Sequence, residues 1–505
     1  MNRREQVYFG DLHNHCNMSY AHGDLEDAVR NARQRLDFCS VTGHAHWTDM
    51  PKPTKQTQHI IDFHVEGFEK LKKNWPASLE TLKAAFEPGR FVTFPGFEVH
   101  SSADGDRAVI YQEPEGDLLY PGSIPDLEGR IAELVAQGHP ALSLPHHIGY
   151  HQGARGINWD HFNADTSPVV EVYSMHGASE STEGPLPFLH SMGPADWRST
   201  VQYGLAQGHI FGFVANTDHH SAHPGSYGHG MTGIWTRELS RESIFEAIRA
   251  RRTFALTGDK TRLDYELGGT PMGGIRPPGR AESLTLYLEA GGAIDYVDVV
   301  LNNRTVRRIS WPELPGRGTT AAAGSLQTHL FLEVGWGPRG KAALWDAEVG
   351  ISAGTILEVD PRFRGPDVLS PEQEAEGSGS AFYSRWERAG DRSVHFETKT
   401  YGNPTSSTPG TAGIDLLVDL PTDARIWTRL NGVRSETTVE RLLSGGRSGH
   451  IRHEIDSPAY LLHQAPTEEE YRWNLTLDDF APDLRPGDFI YLRVRQKNNQ
   501  WAWGS

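Results

Sequence analysis

The sequence predicts an α/β chain in which a closed barrel is followed by an antiparallel β-sandwich region. Three observations point there. Residues 7–258 alternate between apolar, strand-like runs and segments of helical period. Beyond Thr257-Gly258 the helical period fades, and short alternating runs between Gly, Pro and Asn turns take over. Twenty of the 25 histidines fall within the first 258 residues, and their richest clusters mostly stand where an apolar run stops and a turn begins. The division is 1–258 for the barrel and 259–505 for the sandwich region, as one or two domains.

The elements follow in order. Residues 7–12 form a strand. Residues 24–34 form a helix with Leu25, Ala28, Val29 and Ala32 on one face and Asp24 as N-cap. Residues 36–42 are apolar without alternation, as in a strand buried on both faces. Residues 49–88 are polar, carry a helix around 63–73, and read as an insertion over the barrel mouth. Strands follow at 91–99, 108–112, 141–144, 169–173 and 210–215, with helices at 126–137, 196–207 and 241–251. In the second half, runs at 284–290, 296–301, 329–334, 414–418, 425–430 and 489–495 alternate with period two. The Gly/Ser/Thr/Pro-rich stretches 377–380 and 402–410 read as surface loops.

A net charge of −17 repels a phosphate backbone and argues against a nucleic-acid polymer as partner. The two cysteines, Cys16 and Cys39, give no disulfide framework and read as reduced thiols near the core. No apolar signal region precedes the first strand, and no run of about 18 apolar residues occurs, so a soluble cytoplasmic protein is expected, with no membrane partner.

The strand ends carry the chemistry. Asp11-Leu12-His13-Asn14-His15 closes the first strand, and the spacing of two puts both imidazoles on one side. Asp11 is placed to accept the second ring N–H of a ligand histidine. His22 follows. Thr42-Gly43-His44 ends the second strand, with His46 as a mouth residue. Gly96-Phe97-Glu98 ends the third, and a carboxylate after an apolar run is costly unless paired or metal-bound. Pro145-His146-His147 offers at least one ligand, His146 being preferred. Asp218 and His220 repeat the spacing of two, with His219 facing away. Imidazole and carboxylate arriving together at several strand ends build a multinuclear metal site.

These residues resemble the PHP superfamily, named for polymerase and histidinol phosphatase. Its motifs are similar to Asp11–His15 with His22, to Thr42-Gly43-His44, to Gly96-Phe97-Glu98, to Pro145-His146 and to Thr217-Asp218-His219-His220. Residues 241–258 and 491–505 are similar to a branch in which a β-sandwich follows the barrel, so the resemblance covers nearly the whole chain. It implies a distorted (β/α)7 barrel with two to three divalent ions, Zn, Mn or Fe. It also implies one metal on His13, His15, Glu98 and Asp218. A second would sit on Glu98 and His146, and a third on His22, His44 and His220. Two positions depart from the pattern. Gly43 stands where an aspartate is usual, and Gly105-Asp106-Arg107 holds no histidine where one is usual, so either Asp106 replaces it or the second metal is held more weakly.

The implied function is a metal-dependent hydrolase, a phosphoesterase acting on a small anionic molecule through a metal-bridging hydroxide. Glu98 would set the metal spacing and Asp218 would accept the nucleophile's proton. His147 and His176 are candidates for substrate contact or general acid. Arg107 and Arg155 would pair with phosphate oxygens, or else form surface ion pairs. The rival readings are a hydrolase or lyase on an ester, amide or sugar acid, and a non-catalytic binding module. The five histidines after residue 258 are expected to lie outside the chemistry.

Overall fold

The computed structural model describes residues 5–189, 192–310, 324–338, 341–366, 384–402, 410–452 and 457–505. Strands β1 (Gln6–Asp11), β2 (Phe38–Trp47) and β3 (Val92–His100) pair in parallel, and β4 (Arg107–Tyr111) and β5 (Ala141–Pro145) continue the sheet antiparallel. Gly10 lets β1 and β2 approach, because a Cβ there would lie 2.2 Å from the Phe38 ring. A separate sheet holds β6 (Val169–Ser174) between β7 (Gly177–Ala178) and β8 (Gly212–Ala215), with β6 and β8 parallel. On the other side of β1, β9 (Met231–Thr236) and β10 (Thr253–Leu256) pair antiparallel.

One apolar cluster draws Leu12, Phe38, Phe94, Ile110, Leu144, Val169, Val214 and Ile234 into a shared interior. These residues lie on or beside eight different strands, and each such side chain contributes ~1.5–3 kcal/mol by leaving water. Helix α1 (Leu25–Arg33) buries Leu25, Ala28, Val29 and Ala32 as its period requires. Asp24 precedes it without a side-chain cap bond, its Oδ1 accepting from Asn17 Nδ2 instead. The insertion helix is longer than its apolar pattern shows. Helix α2 runs Gln58–Ala85 through Pro76, with Ile61, Leu71, Trp75 and Leu82 buried. Helix α3 (Ile124–Ala136) is capped by the Ser123 side chain, which accepts from Asp126 N–H. The helical segment at 196–207 resolves into a 3₁₀ turn (Trp197–Ser199) and the short α4 (Val201–Ala206), and α5 spans Arg241–Arg249.

The large sheet does not stop at residue 258. β10 pairs with Trp501–Gly504, which pairs with Ile490–Gln496, then Ile294–Leu301 and Arg304–Ser310, making eleven strands in all. Beyond it, two five-stranded antiparallel sheets within residues 326–462 face each other across a cluster that includes Leu332, Val349, Phe396, Leu416 and Ile426. The loop predicted at 377–380 lies outside the described residues, as does 403–409 within the other. No described helix is long and apolar enough to cross a membrane.

Candidate metal centre

The strand ends converge. His44 lies in β2, Glu98 and His100 in β3, and His13 and His15 just past β1. His146 and His147 follow β5, His176 sits between β6 and β7, and Asp218 and His220 follow β8. Two backbone bonds cross-tie the first and last of these segments: Asp218 N–H donates to His13 O (2.8 Å) and His15 N–H to His219 O (2.9 Å). His147 and Asp218 adopt left-handed backbone, with φ of 33° and 53°, which is rare for non-glycine residues and recurs where function fixes a side chain.

Glu98 stands at the middle. Its Oε2 faces His44 Nε2 (3.3 Å), His15 Nε2 (3.4 Å) and His13 Nε2 (3.7 Å). Its Oε1 faces His146 Nε2 (3.1 Å) and His100 Nδ1 (3.1 Å). Asp218 is used the same way. Oδ1 meets His15 (3.0 Å), His13 (3.5 Å) and His220 (3.6 Å), and Oδ2 meets His176 Nε2 (2.9 Å). Asp106 Oδ2 gathers His100 Nδ1 (2.9 Å), Arg155 Nη1 (3.2 Å) and His147 Nε2 (3.5 Å).

Five groups can each close on one cation, with ligand atoms within 4.8 Å of one another. They are His13/His15/Asp218, His15/His44/His220, His44/Glu98/His100, Glu98/Asp106/His146/His147 and His147/His176/Asp218. The donors suit a metal. His13 Nε2 and His147 Nδ1 are buried with no hydrogen-bond partner among the described residues, and buried polar atoms are otherwise nearly always paired.

The electrostatics agree. Burial alone would raise the Glu98 carboxyl, but His100, His44 and His146 hold it well below the usual range. Asp218 is likewise held down against burial, by His13 and His176. Burial and neighbouring histidines lower His44 and His147 well below the usual imidazole value, and His15 to about 4. Ionised carboxylates among neutral imidazoles are the ligand forms. At His13, Asp218, Glu171 and Glu98 overcome burial and raise the imidazole well above its usual value. Positive charge is wanted at that point, and a divalent cation supplies more of it than a proton.

Not every predicted residue arrives. His22 is absent from the cation groups. It is half-buried, its backbone N–H donates to His220 O (2.9 Å), and the Tyr20 ring takes the place against His44 (3.8 Å). Arg107 turns away from the site. It is fully buried, donates to Gly105 O and Asp106 O (both 3.0 Å) and faces Glu128 of α3 at 3.7 Å, so it is a structural ion pair. Arg155 does arrive, between Asp106 and the Trp47 ring (5.0 Å). His46 bonds Pro121 O, and His219 bonds Ser221 away from the cluster. Asp11 accepts from Thr217, Gly225 and the His13 backbone rather than from a ring. The thiols of Cys16 and Cys39 are free, buried and pushed up by burial, Cys16 to about 12.

Two residues, His100 and Glu171, exceed the sequence reading, and His176, named there as a substrate contact or general acid, arrives beside Asp218. His100 lies two past Glu98 on a strand that continues to Trp47's partner position, so the period of two was the available signal. Glu171, amid the valines of β6, meets His13 Nδ1 at 3.3 Å and takes the orienting role expected of Asp11. Its own signal was that of Glu98, a carboxylate in an apolar run. His176 has both ring nitrogens engaged, Nδ1 with Tyr150 Oη (2.7 Å) and Nε2 with Asp218, which places it as a ligand or partner of Asp218. The loop that carries it is tied to the chain's last strands. Buried Glu180 accepts from Tyr491 Oη (2.6 Å), Arg493 Nη1 (2.9 Å) and Trp503 Nε1 (2.9 Å).

No family model matches the chain. It is similar to uncharacterized proteins of Chlamydia pneumoniae (26% identical over 235 residues, 44% of this chain and 37% of that protein) and Chlamydia trachomatis (26% over 232 residues, 42% and 36%). A third, from Chlamydia muridarum, is 23% identical over 250 residues, 45% of this chain and 39% of its own length. The chain thus spans well under half the length of the curated relatives it matches. Among solved structures it is similar to a two-domain protein of Bacteroides vulgatus containing a predicted PHP-like metal-dependent phosphoesterase. That match has a TM-score of 0.31 and 15% identity, over 59% of this chain and 79% of that one.

Proposed function

We propose that this protein is a metal-dependent hydrolase on a distorted (β/α)7 barrel of the PHP kind, a phosphoesterase acting on a small anionic molecule. Glu98 carries the reading. Its two oxygens face two separate sets of histidines, the arrangement of a carboxylate shared by two cation positions. Two to three ions, Zn, Mn or Fe, would be held by His13, His15, Glu98 and Asp218, by Glu98, Asp106, His146 and His147, and by His44 and His220. Bound there, such ions activate water near neutral pH and stabilise charge on a phosphoryl oxygen.

The chain's own residues do the rest. Glu98 fixes the spacing of the positions. Asp218 would accept a proton from the attacking oxygen at a carboxylate oxygen. Glu171 holds the His13 ring through Nδ1. Arg155 presents a guanidinium beside the cluster that can pair with a spare substrate oxygen, and Trp47 beneath it limits the positions it can take.

The test is metal content measured beside hydrolysis of a phosphoester panel and of carboxyl-ester and glycoside panels. We expect two to three equivalents of metal, phosphoester turnover and its loss on chelation. Full activity with under one equivalent would overturn the multinuclear site, and turnover of esters or glycosides alone would overturn the phosphoesterase.

A further inference from the structure

We propose that a cavity at the opposite end of β8 from the histidine cluster is a second binding site, for an amphipathic anion: an apolar body carrying one carboxylate or phosphate head group. The cavity measures about 310 Å³, within the range of pockets that take small organic molecules. Its walls come from residues within 205–213, which lead into β8, from Arg251 just after α5, and from residues within 265–278 and 484–491. Asp218 and His220 lie past the other end of β8, and the cavity shares no residue with the cation groups.

The walls select the body. Phe211, Leu267, Leu484, Phe489 and Ile490 line the cavity. Apolar groups there also meet solvent. Ile210 and Ile275 are 48% and 69% exposed, and Pro277 and Pro278 are exposed as well. Single exposed apolar residues are ordinary, but four on one cavity form a patch. An apolar body that covers the patch removes it from water and leaves water itself.

The charges select the head. Arg251, Arg276 and Arg485 line the cavity against one acidic side chain, Asp488, in a chain whose net charge is −17. Asp488 is already engaged, Oδ1 accepting from Asn302 Nδ2 and Oδ2 from the Arg485 N–H (both 2.7 Å). Arg251 and Arg276 are half-buried, and neither pairs with a carboxylate among the described residues. Arg251 Nε donates to Gly273 O (3.0 Å), and Arg276 donates to the carbonyls of Leu267, Pro277 and Arg280 (3.4 Å each). Gly273, Leu267 and Pro277 belong to the cavity wall, so both guanidiniums lie along it. Burial lowers Arg251 from its ordinary value, with no charged neighbour to offset it. Carbonyls fix a guanidinium without neutralising it, whereas a carboxylate or phosphate head does both through paired N–H bonds. A neutral apolar molecule would leave the arginines unpaired, and an inorganic anion would leave the apolar walls in water.

Ligand-observed saturation-transfer NMR on the full chain tests this, with octanoate and octyl phosphate as probes. Octanol is the neutral control and inorganic phosphate the control without an apolar body. Each is measured with and without a chelator, so that an ion at the histidine cluster is not what holds the head group. We expect octanoate or octyl phosphate to bind saturably in both conditions, at least tenfold more tightly than either control, the tighter of the two naming the head group. Binding should weaken tenfold or more in Arg251→Gln and in Ile275→Asp. Circular dichroism checks each fold, and because Ile275 is exposed, Ile275→Asp decides alone if Arg251→Gln unfolds. Four results overturn the proposal: neither anion saturates, a control binds as tightly as the anions, affinity is unchanged in a folded variant, or binding is lost with the chelator.

Discussion

Two buried clusters of three carboxylates each sit in this molecule, and they are neutralised in opposite ways. At the junction between the large sheet and the two five-stranded sheets, Asp259, Asp360 and Asp415 surround the guanidinium of Arg362, and Asp360 also binds Arg35 at 2.9 Å. A guanidinium keeps its charge at every accessible pH, so the carboxylates of that cluster have permanent cations beside them. Where the strand ends converge, Glu98, Asp106 and Asp218 are surrounded mainly by imidazoles, of which His15, His44 and His147 are pushed toward the neutral form, and His13 Nε2 and His147 Nδ1 have no hydrogen-bond partner among the described residues. Equal burial thus yields a structural tie in one place and a deficit of positive charge in the other. The second arrangement could hold a metal ion.

The sharpest break in this comparison is Glu98→Gln. It removes the charge shared by two cation positions, so turnover should fall by orders of magnitude and the metal stoichiometry should drop together with it. An active variant with full metal content would reduce Glu98 to a structural carboxylate. Next in size is Arg362→Met. It takes the guanidinium from buried Asp259 and Asp415 and should lower stability by about 3–5 kcal/mol, read from denaturant melts, while metal per folded molecule stays constant. Loss of metal in proportion would show that the clusters are one unit.

His100→Ala should weaken metal binding about 10–100-fold, the usual effect of losing a ligand or its support. His22→Ala should change it less than twofold, and the reverse ranking would restore His22 to the centre. Titration sharpens the contrast further. Burial would raise the Asp360 carboxyl, but Arg35 outweighs it and holds the group well below its ordinary 3.8. A carboxylate depressed in the folded state stabilises it above the unfolded pKa and loses that contribution as pH falls. Acid melts of Asp360→Asn should therefore start from lower stability at neutral pH and fall less steeply below about pH 4. The smallest effect belongs to His395→Ala. Its partner Asp346 is 78% exposed, and turnover should stay within a few-fold.

Much of the centre was legible because strand periodicity is rigid. Spacing of two from His13 and from Asp218 names His15 and His220, which do converge. Where the backbone leaves that period, the reading could only name a pair. His146 and His147 are adjacent, and both reach the cluster with His147 in a left-handed turn that no spacing rule anticipates. Arg107 was a natural anion contact until Glu128 of α3 was found beside it, a pairing that depends on how α3 packs on β5 rather than on local sequence. The eleven-stranded sheet was the least legible feature. Its partners meet across residue 258, and alternation within a strand does not say which strand lies next to it.

The grip of the last strands on Glu180 sets a clock on assembly. Trp503 lies 323 residues after the carboxylate it bonds, and Trp501 lies 244 after its partner Thr257. At the ~5–20 residues per second of synthesis, a nascent chain waits tens of seconds between making the His176 loop and receiving the strand that fastens it. During that interval β10 shows the ribosome's surroundings an open edge, a template for pairing with other chains. Until that strand arrives, the His176 loop lacks its tie through Glu180, so the centre should finish assembling late.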